Sequence, residues 1–374
     1  MNFDTSKSNN KPLILAYYLP QYHPFKENDE WWGKGFTEWT NVGKARPLYK
    51  EHYQPKVPAD LGYYDLRLPV IREQQAELAR EAGVGGFCYW HYWFGNGKQL
   101  LNDIIDDVIA SGKPDFPFCF GWANETWKAK QWNKDGSGDK VLMEQVYGGE
   151  SDYREHFKYA LKAFKDKRYV KIDNKPVFLI YKPALIPSDF TVYWQQWAKE
   201  EGFDGIYFIG RLSNLTSETP EMFSDKGINA FTCERWAAGY TKNNFLKKIY
   251  IRLSSKLKGV RVVVPYKYCI PFFTDKEIDS KEDICPCLIP NWDHTPRSKT
   301  GGLVLQDAAP KYFYKHASDV LNIVRHKKNK IIFLKSWNEW GEGNYMEPDL
   351  KYGKGYIQAL AKALKDNENE KDII

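Results

Sequence analysis

Residues 331–343 read IIFLKSWNEWGEG, an apolar run that leads into two tryptophans, an asparagine and two glutamates. The run is continuous rather than alternating in polarity, which is typical of a strand buried on both faces of a parallel sheet. Seven runs of the same kind precede it, at residues 12–18, 85–90, 116–122, 176–181, 205–210, 228–233 and 287–292. The chain therefore contains eight candidate strands of one parallel sheet.

The segments between these runs have the spacing of amphipathic helices. In residues 151–165, apolar side chains recur at one helical face, namely Tyr153, Phe157, Ala160, Leu161 and Phe164. Residues 313–324 repeat this spacing, while Pro69 and Gly83 mark the beginning and end of another helix. Strands that alternate with helices favour right-handed βαβ units.

We therefore predict an α/β fold, a single (β/α)8 TIM barrel with elaborated βα loops, because eight parallel strands suffice to close a barrel. The domain spans residues 1–374, with a core at about 12–366 and an insertion at about 240–284. An open, doubly wound sheet is the alternative. No G-x-G-x-x-G motif follows the first run, which disfavours that alternative.

The composition favours a folded protein that binds sugar. Hydrophobic residues make up 43% of the chain and charged residues 27%, so a large core is available. The aromatic share is 16%, with 14 Trp and 25 Tyr, and flat amphipathic rings suit the apolar faces of sugars as well as core packing. The net charge of +6 comes without a nucleic-acid-binding motif, so we expect no nucleic-acid partner.

The cysteines and the N-terminus suggest a location. None of the six cysteines has the C-x-x-C spacing of a redox or zinc site, so we expect reduced structural thiols. The first residues, MNFDTSKSNNKP, lack the apolar segment of a signal peptide, and no run is long enough to span a membrane. We therefore expect a cytoplasmic protein that needs no cofactor.

The unusual residues cluster after the predicted strands. In α/β barrels, functional groups follow the C-terminal ends of the strands. Nearly every run here ends beside an aromatic residue and a carboxylate, imidazole or amide, and a barrel without a ligand would not concentrate them there. We predict a sugar-binding cleft on this rim, lined by Tyr18, Gln21, His23, Trp39, Trp90, His91, Trp122, Asn124, Trp127, Trp292, Asp293, Trp337, Asn338, Trp340 and Glu347.

Two Asn-Glu pairs at strand ends supply the candidate catalytic groups. Glu125 and Glu339 each follow an asparagine, and Glu342 lies three residues beyond Glu339. Glycoside cleavage needs two carboxyl groups, and desolvation beside indole rings raises the pKa of a glutamate toward that of a general acid. We predict that these three glutamates are catalytic and converge on the cleft. The alternative is that they are buried partners of tryptophan N–H groups.

Two other features of the rim carry open alternatives. The stretch WWGKGFTEW at residues 31–39 predicts either a folded lid over the cleft or a packed segment. His23, His91 and His294 fall at rim positions without H-x-H or H-x-x-x-H spacing, so contact with sugar or with a carboxylate is favoured over metal binding.

The motifs YYLPQYH at 17–23, WGKGFTEW at 32–39, WANE at 122–125 and WNEWGEG at 337–343 resemble those of WbsX-type proteins, which carry a domain similar to glycoside hydrolase family 99. The resemblance extends from about residue 13 to 356. It is close to WbsX-type proteins and distant to family 99 itself. It implies a (β/α)8 barrel and retaining, endo-acting cleavage of α-mannosidic bonds.

The resemblance also implies roles for two glutamates. The family 99 pattern Asn-Glu-x-x-Glu-Gly begins at Asn338, so that Glu339 is the base that deprotonates the sugar's 2-hydroxyl and Glu342 is the acid/base. A 1,2-anhydro sugar is the implied intermediate. Gly341 stands where family 99 has a histidine. The residues alone also allow the common retaining layout, with Glu125 as acid/base and Glu339 as nucleophile.

The sequence thus predicts a retaining, endo-acting glycoside hydrolase or transglycosylase for an α-linked, mannose-type oligosaccharide or polysaccharide. The first alternative is a glycosyltransferase of cell-surface polysaccharide (O-antigen or capsule) biosynthesis, the label that WbsX-type proteins often carry. Neither a nucleotide-binding glycine loop nor an Asp-x-Asp motif supports it. The second alternative is a non-catalytic glycan-binding barrel.

A basic segment interrupts the predicted barrel at residues 242–267. Its basic residues are Lys242, Lys247, Lys248, Arg252, Lys256, Lys258, Arg261 and Lys267. Between them, apolar residues at helical spacing predict an amphipathic helix, namely Leu246, Ile249, Tyr250, Leu253 and Leu257. Peripheral contact with an anionic membrane, contact with an acidic polysaccharide and a solvated helix face are the three interpretations.

Overall fold

The computed structural model describes residues 2–3, 11–129, 140–213 and 217–369. Its centre is a ring of eight parallel strands. They are β1 (Leu13–Tyr18), β2 (Gly86–Gly95), β3 (Phe118–Trp122), β4 (Lys175–Ile180), β5 (Tyr207–Arg211), β6 (Ala230–Thr232), β7 (Ile284–Cys285 and Cys287–Leu288) and β8 (Ile331–Leu334). Each strand pairs with the next, and β8 pairs with β1 through Ile331 and Leu13. The predicted (β/α)8 barrel is confirmed.

The seventh strand differs from its prediction. Its first part pairs with β6 and its second part with β8, and Pro286 separates the two. Proline has no N–H to donate to a sheet, and Pro290 follows soon after, so the strand ends at Leu288 instead of continuing to residue 292. All six cysteines are buried and free, as expected of structural thiols.

Helices fill the connections around the barrel. They are Lys26–Trp32, Glu38–Gly43 and Pro69–Ala82 after β1, Asn102–Ser111 after β2, Glu150–Phe164 after β3, Ser188–Glu200 after β4, the 3-10 helix Pro220–Lys226 after β5, Ala238–Thr241, Phe245–Lys258, Tyr266–Phe273 and Lys276–Asp279 after β6, Thr295–Ser298 and Pro310–Val324 after β7, and Gly355–Asn369 after β8. The helix from Pro69 ends at Gly83 in the left-handed conformation, as predicted.

Short elements complete the rim and the outer surface. The strands are Asn2–Phe3, Lys98–Leu100, Trp127–Ala129, Lys140–Met143, Lys171–Ile172, Val262–Pro265, Leu303–Gln306, Asn338–Glu339 and Asn344–Tyr345, and the 3-10 turns are Pro183–Leu185, Lys299–Gly301 and Trp340–Glu342. The antiparallel pair Asn338–Glu339 and Asn344–Tyr345 extends the chain directly beyond β8.

The second strand continues beyond its predicted end. It runs to Gly95 and folds back against Lys98–Leu100. Side chains alternate along a strand, so Trp90 points inward, where it packs on Tyr17 and Tyr181, while His91 and Trp93 point outward to the surrounding helices. His91 accordingly meets His156 of the helix Glu150–Phe164, with 2.8 Å between their Nε2 atoms. The predicted sugar contact of His91 is therefore corrected to a place in the core.

Candidate functional site

The main feature of the rim is a pair of glutamates that share one arginine. The 3-10 turn Trp340–Glu342 at the tip of the short hairpin after β8 brings Glu339 and Glu342 to the same side. Arg297, from the helix Thr295–Ser298 after β7, reaches both glutamates. Its Nη2 lies 2.6 Å from Glu339 Oε1 and its Nη1 lies 2.8 Å from Glu342 Oε1. A third carboxylate, Glu38, lies 3.1 Å from the same guanidinium.

The backbone of this turn is held at both ends. The Trp340 N–H donates to the Tyr22 hydroxyl at 2.9 Å, and the Glu342 carbonyl accepts from the Asp293 N–H at 2.7 Å. Arg297 is 25% exposed and Glu342 is partly exposed, whereas Glu339 is buried beneath them. The pair is therefore reachable from solvent through Glu342.

The environment drives the pKa values of the two glutamates apart. Burial raises the pKa of Glu339 to about 8, an increase that Glu342 and Glu38 reinforce and Arg297 only partly offsets. Burial also acts to raise the pKa of Glu342, but Arg297, Lys335 and His294 outweigh it and hold that pKa below its usual value. These opposite pKa shifts favour a protonated Glu339 beside an ionised Glu342, and the two groups titrate as a coupled pair.

Gly341 makes room for this arrangement. A Cβ atom built at Gly341 would lie 2.3 Å from Glu38 Oε2 and 2.9 Å from Arg297 Nε. No side chain, and so no histidine, fits there while Glu38 and Arg297 keep their ion pair.

Further charged groups line the same rim. Arg211 at the end of β5 pairs with Glu234 after β6, with Nε and Oε2 2.6 Å apart. Lys335, just beyond β8, has its pKa shifted by nearby charges: burial acts to lower it, but Glu234 and Glu342 raise it above its usual value. With Arg297 and its three glutamates, these residues make four carboxylates (Glu38, Glu234, Glu339 and Glu342) and three cations (Arg211, Arg297 and Lys335). With Glu339 protonated the charges balance, which suits an uncharged ligand.

Two aromatic groups flank these charges. Trp236 stacks on Trp292 with 5.0 Å between ring centroids, and Lys335 Nζ lies 5.3 Å from the Trp292 ring. On the other side, Trp90 packs edge-on against Tyr181 at 5.4 Å, and Arg211 lies 4.4 Å from the Tyr181 ring. Trp90, Tyr181 and Trp236 are only partly buried, so part of each ring is open to solvent.

The side chains of the two asparagines in the Asn-Glu pairs form hydrogen bonds with backbone groups. Asn338 bonds through both ends of its amide to the N–H and C=O of Leu19, at 2.8 and 3.0 Å. Asn124 does the same with the N–H and C=O of Lys182, at 2.7 and 2.9 Å. Each asparagine thus joins its own strand end to the loop of a neighbouring strand. Their predicted sugar contacts are corrected, since both side chains are fully buried.

The two pairs differ in where their glutamates go. Glu339 joins the Arg297 cluster, whereas the Glu125 side chain is 43% exposed and lies 3.9 Å from Lys182 Nζ. The structure brings Glu339 and Glu342 together on Arg297, whereas Glu125 pairs with Lys182 and lies near Tyr181. A catalytic role for Glu125 stays a prediction.

Glu347 lies under the site. Its carboxylate accepts hydrogen bonds from Trp340 Nε1 at 2.6 Å, Gln75 Nε2 at 2.6 Å and the Tyr64 hydroxyl at 2.9 Å. Burial nevertheless raises the pKa of Glu347 to about 7. Glu347 therefore anchors its loop from below, and its predicted sugar contact is corrected because the side chain is buried.

Several other predicted contact residues are also buried. Their side chains form the floor and supports of the rim: Tyr18, His23, Trp122, Asp293, Trp337 and Trp340. Asp293, for example, accepts hydrogen bonds from His52 and Gln54, at 2.9 and 2.7 Å. Trp292 is 6% exposed and stacks on Trp236, while Gln21, Trp39, Trp90 and Trp127 stay partly exposed. For these five, contact with sugar stays a prediction.

The segment 31–39 is packed at its C-terminal end, where it supplies Glu38 to the cluster, while residues 32–35 are exposed. Trp39 donates to the Tyr64 carbonyl at 2.7 Å and packs on Trp340. Arg297, Glu38, Lys335 and Arg211 were absent from the predicted site. A basic residue at the end of an apolar strand run, as in FIGR or IIFLK, was the signal for two of them; Arg297 and Glu38 lie outside any strand.

Three comparisons place the chain among known proteins. Residues 14–360 match the family described as "Glycosyltransferase WbsX". The "Uncharacterized protein WxcX" of Xanthomonas campestris pv. campestris is 32% identical over 372 residues, which cover 94% of this chain and 49% of that protein. The chain thus spans about half the length of the curated relatives it matches.

The structural neighbours share the fold. The GH99 endo-alpha-mannosidase from Bacteroides thetaiotaomicron superposes with a TM-score of 0.56 at 16% identity, over 96% of this chain and 98% of that one. A "Glycoside hydrolase-like protein" superposes with a TM-score of 0.58 at 15% identity, over 96% and 95% of the two chains. Identities at this level show the barrel architecture alone.

Proposed function

The chain belongs to the family described as "Glycosyltransferase WbsX", and from the geometry of its rim we propose that it acts on O-glycosidic bonds of an oligosaccharide or polysaccharide. The observation that carries the proposal is the Glu339–Arg297–Glu342 arrangement, two carboxyl groups that share one guanidinium and whose pKa values are shifted in opposite directions. Acid-base cleavage at an anomeric carbon needs one protonated and one ionised carboxyl group.

The finer proposal is retaining, endo-acting cleavage or transfer within an α-linked, mannose-type glycan. Its support is the Asn-Glu-x-x-Glu-Gly pattern and the barrel shared with the endo-alpha-mannosidase. The balanced charges of the rim also favour an uncharged sugar over a nucleoside diphosphate, which would need an excess of cations.

The roles of base and general acid can be assigned to Glu339 and Glu342 in two ways. In the order implied by the family resemblance, Glu339 takes the proton of the sugar's 2-hydroxyl and Glu342 protonates the leaving oxygen. In the unliganded protein, the raised pKa of Glu339 and the lowered pKa of Glu342 favour the opposite assignment, with Glu339 as acid and Glu342 as base. The family order therefore requires the proton to pass from Glu339 to Glu342 when substrate binds, a shift that leaves the net charge of the pair unchanged.

Glutamine variants show which of the two glutamates is the general acid and which is the base. On a panel of α-mannan, α-glucan and activated aryl α-glycosides, we expect Glu339→Gln and Glu342→Gln each to lower kcat/KM by at least about 100-fold on natural linkages. The variant that removes the general acid keeps activity on the activated substrates, because their leaving groups need no proton. The variant that removes the base loses activity on both.

One control variant and two further measurements give the results that would contradict the proposal. Glu77→Gln, an exposed position on the helix Pro69–Ala82, should leave activity unchanged. A large loss in Glu125→Gln with an active Glu342→Gln would shift the chemistry to the common retaining layout. NMR of the first product should show retention of the anomeric configuration; inversion contradicts the retaining assignment.

A glycosyltransferase is the second candidate, favoured by the family description. It predicts that a nucleoside diphosphate raises the melting temperature, since a ligand bound only by the folded state stabilises that state. It also predicts turnover with a nucleotide sugar and none with glycan alone. The hydrolase proposal predicts the reverse for both measurements.

A further inference from the structure

The helix Phe245–Lys258 turns its apolar side to solvent. Leu246 is 76% exposed, Leu253 is 55% exposed and Leu257 is 89% exposed, and Phe245, Ile249 and Tyr250 are exposed with them. An amphipathic helix on a globular protein ordinarily buries this side. The apolar stripe predicted from the sequence thus exists, but it covers no part of the core.

The opposite side of the helix is the one that packs. Ile251 and Ser255 are buried, and the Ser255 hydroxyl accepts the Val263 N–H at 2.8 Å, which fixes the helix on the strand Val262–Pro265. Leu253 follows Ile251 by two residues, and two steps of about 100° turn it to the opposite face. The exposed apolar stripe is therefore a consequence of how the helix is anchored.

Basic residues border the stripe on both sides. Lys248, Arg252 and Lys256 are exposed on one flank. Lys247 and Lys258 lie on the other flank, where their ammonium groups rest over the rings of Tyr268 and Tyr49. Residues 242–267 contain eight Lys and Arg and no Asp or Glu. Their charge is uniformly positive.

We propose that this helix docks on the surface of an anionic lipid bilayer, with its apolar stripe inserted at the level of the headgroups and its lysines and arginines on the lipid phosphates. An apolar face bordered by Lys and Arg is the pattern of interfacial helices. No helix in the described part of the chain is long and apolar enough to cross a membrane, so the contact is peripheral.

Charge also argues against a second copy of the chain as the occupant. A twofold symmetric contact places the same patch on both sides. The basic flanks would then face each other with no acidic residue in the segment to neutralise them. An anionic bilayer supplies the missing negative charge and the apolar phase together.

The docking helix packs on the same apolar cluster as the aromatic wall of the site. Ile251 belongs to a small apolar cluster that also holds Val264, Leu305 and Trp292, and Trp236 packs against this cluster. The aromatic wall of the site is thus built on the same support as the docking helix. A protein bound in this way holds that wall close to its membrane-facing side.

Vesicle co-sedimentation tests the proposal. We expect binding to phosphatidylcholine vesicles that contain phosphatidylglycerol, weak binding to phosphatidylcholine alone, and loss of binding in high salt. Leu253→Glu/Leu257→Glu and Lys248→Glu/Arg252→Glu/Lys256→Glu should each weaken binding by at least about tenfold, since each charge near the surface contributes roughly a fivefold factor. Val192→Glu, an exposed apolar residue of the helix Ser188–Glu200, is the matched control and should bind normally.

Four outcomes would overturn the proposal. They are no sedimentation with anionic vesicles, binding unaffected by both variants, concentration-dependent dimers that the leucine variant abolishes, and binding to an acidic polysaccharide in place of vesicles. The altered residues are solvent-exposed, so circular dichroism and thermal melting should match those of the parent chain. Activity of the glutamate pair on soluble glycans should be unchanged, which separates this test from that of the proposed function.

Discussion

Replacement of Arg297 by methionine should destabilise the protein substantially. The guanidinium lies within 3.1 Å of three carboxylates, those of Glu38, Glu339 and Glu342. Methionine preserves most of the side chain's length but leaves these carboxylates without their shared cation. Removal of one partner from a buried ion pair costs about 3–5 kcal/mol in the free energy of unfolding. We expect a loss in that range at neutral pH.

The loss should depend on pH in a defined direction. Without Arg297, the folded-state pKa of Glu342 rises above the unfolded value of about 4.3, and the pKa of Glu339, already raised by burial, rises further. The folded variant then binds more protons than its unfolded chain between those values, so its stability falls as pH rises. The difference from the parent protein should be largest at pH about 8 and smallest at pH about 5.

Urea unfolding, followed by tryptophan fluorescence at several pH values, measures the loss of unfolding free energy in Arg297→Met and its dependence on pH. Arg67→Met is the matched control, because Arg67 pairs with Asp65 through a side chain that is 55% exposed. An exposed pair of this kind contributes about 0–1 kcal/mol. A pH-independent loss in Arg297→Met, or a loss no larger than that of the control, would refute the assignment of Arg297 as the neutralising group of a buried cluster.

Three further predictions concern the same rim. Glu347→Gln should lower the free energy of unfolding by about 1–3 kcal/mol in urea titration, because an amide N–H₂ would face hydrogen-bond donors. Gly341→Ala should cost about 1–3 kcal/mol and displace Glu38 or Arg297 in a crystal structure, because its Cβ has no space. A glycan-cleaving activity, once found, should fall above pH about 8 as the pair loses its proton from Glu339; an alkaline limb starting near pH 6 would contradict this.

Much of the fold was readable from the chain. The eight apolar runs became the eight strands because a barrel strand is buried on both faces and needs an unbroken apolar sequence. The errors lie at strand ends. Pro286 and Pro290 shortened the seventh strand, and a hairpin beyond Trp90 lengthened the second, since pairing with a neighbour decides where a strand stops.

The site was only partly readable. Glu339 and Glu342 are three residues apart, and the local turn suffices to bring them together. Their partners Arg297 and Glu38 lie 42 and 301 positions away from Glu339, so no short-range sequence pattern predicts their contact with it. The buried roles of Asn124, Asn338 and Glu347 were likewise hidden, because a polar residue at a strand end looks the same whether it faces solvent or a neighbouring backbone.

The sequence by itself determined the strand-helix alternation, the aromatic and carboxylate bias of one rim and the basic character of residues 242–267. These depend on residue types at short spacing, which secondary structure converts directly into faces. The tertiary structure alone decided which glutamates share Arg297 and in which direction the pKa of each is shifted. It also decided that the leucines of the helix Phe245–Lys258 face outward. Burial and charge pairing depend on groups distant along the chain, and only folding brings those groups into contact.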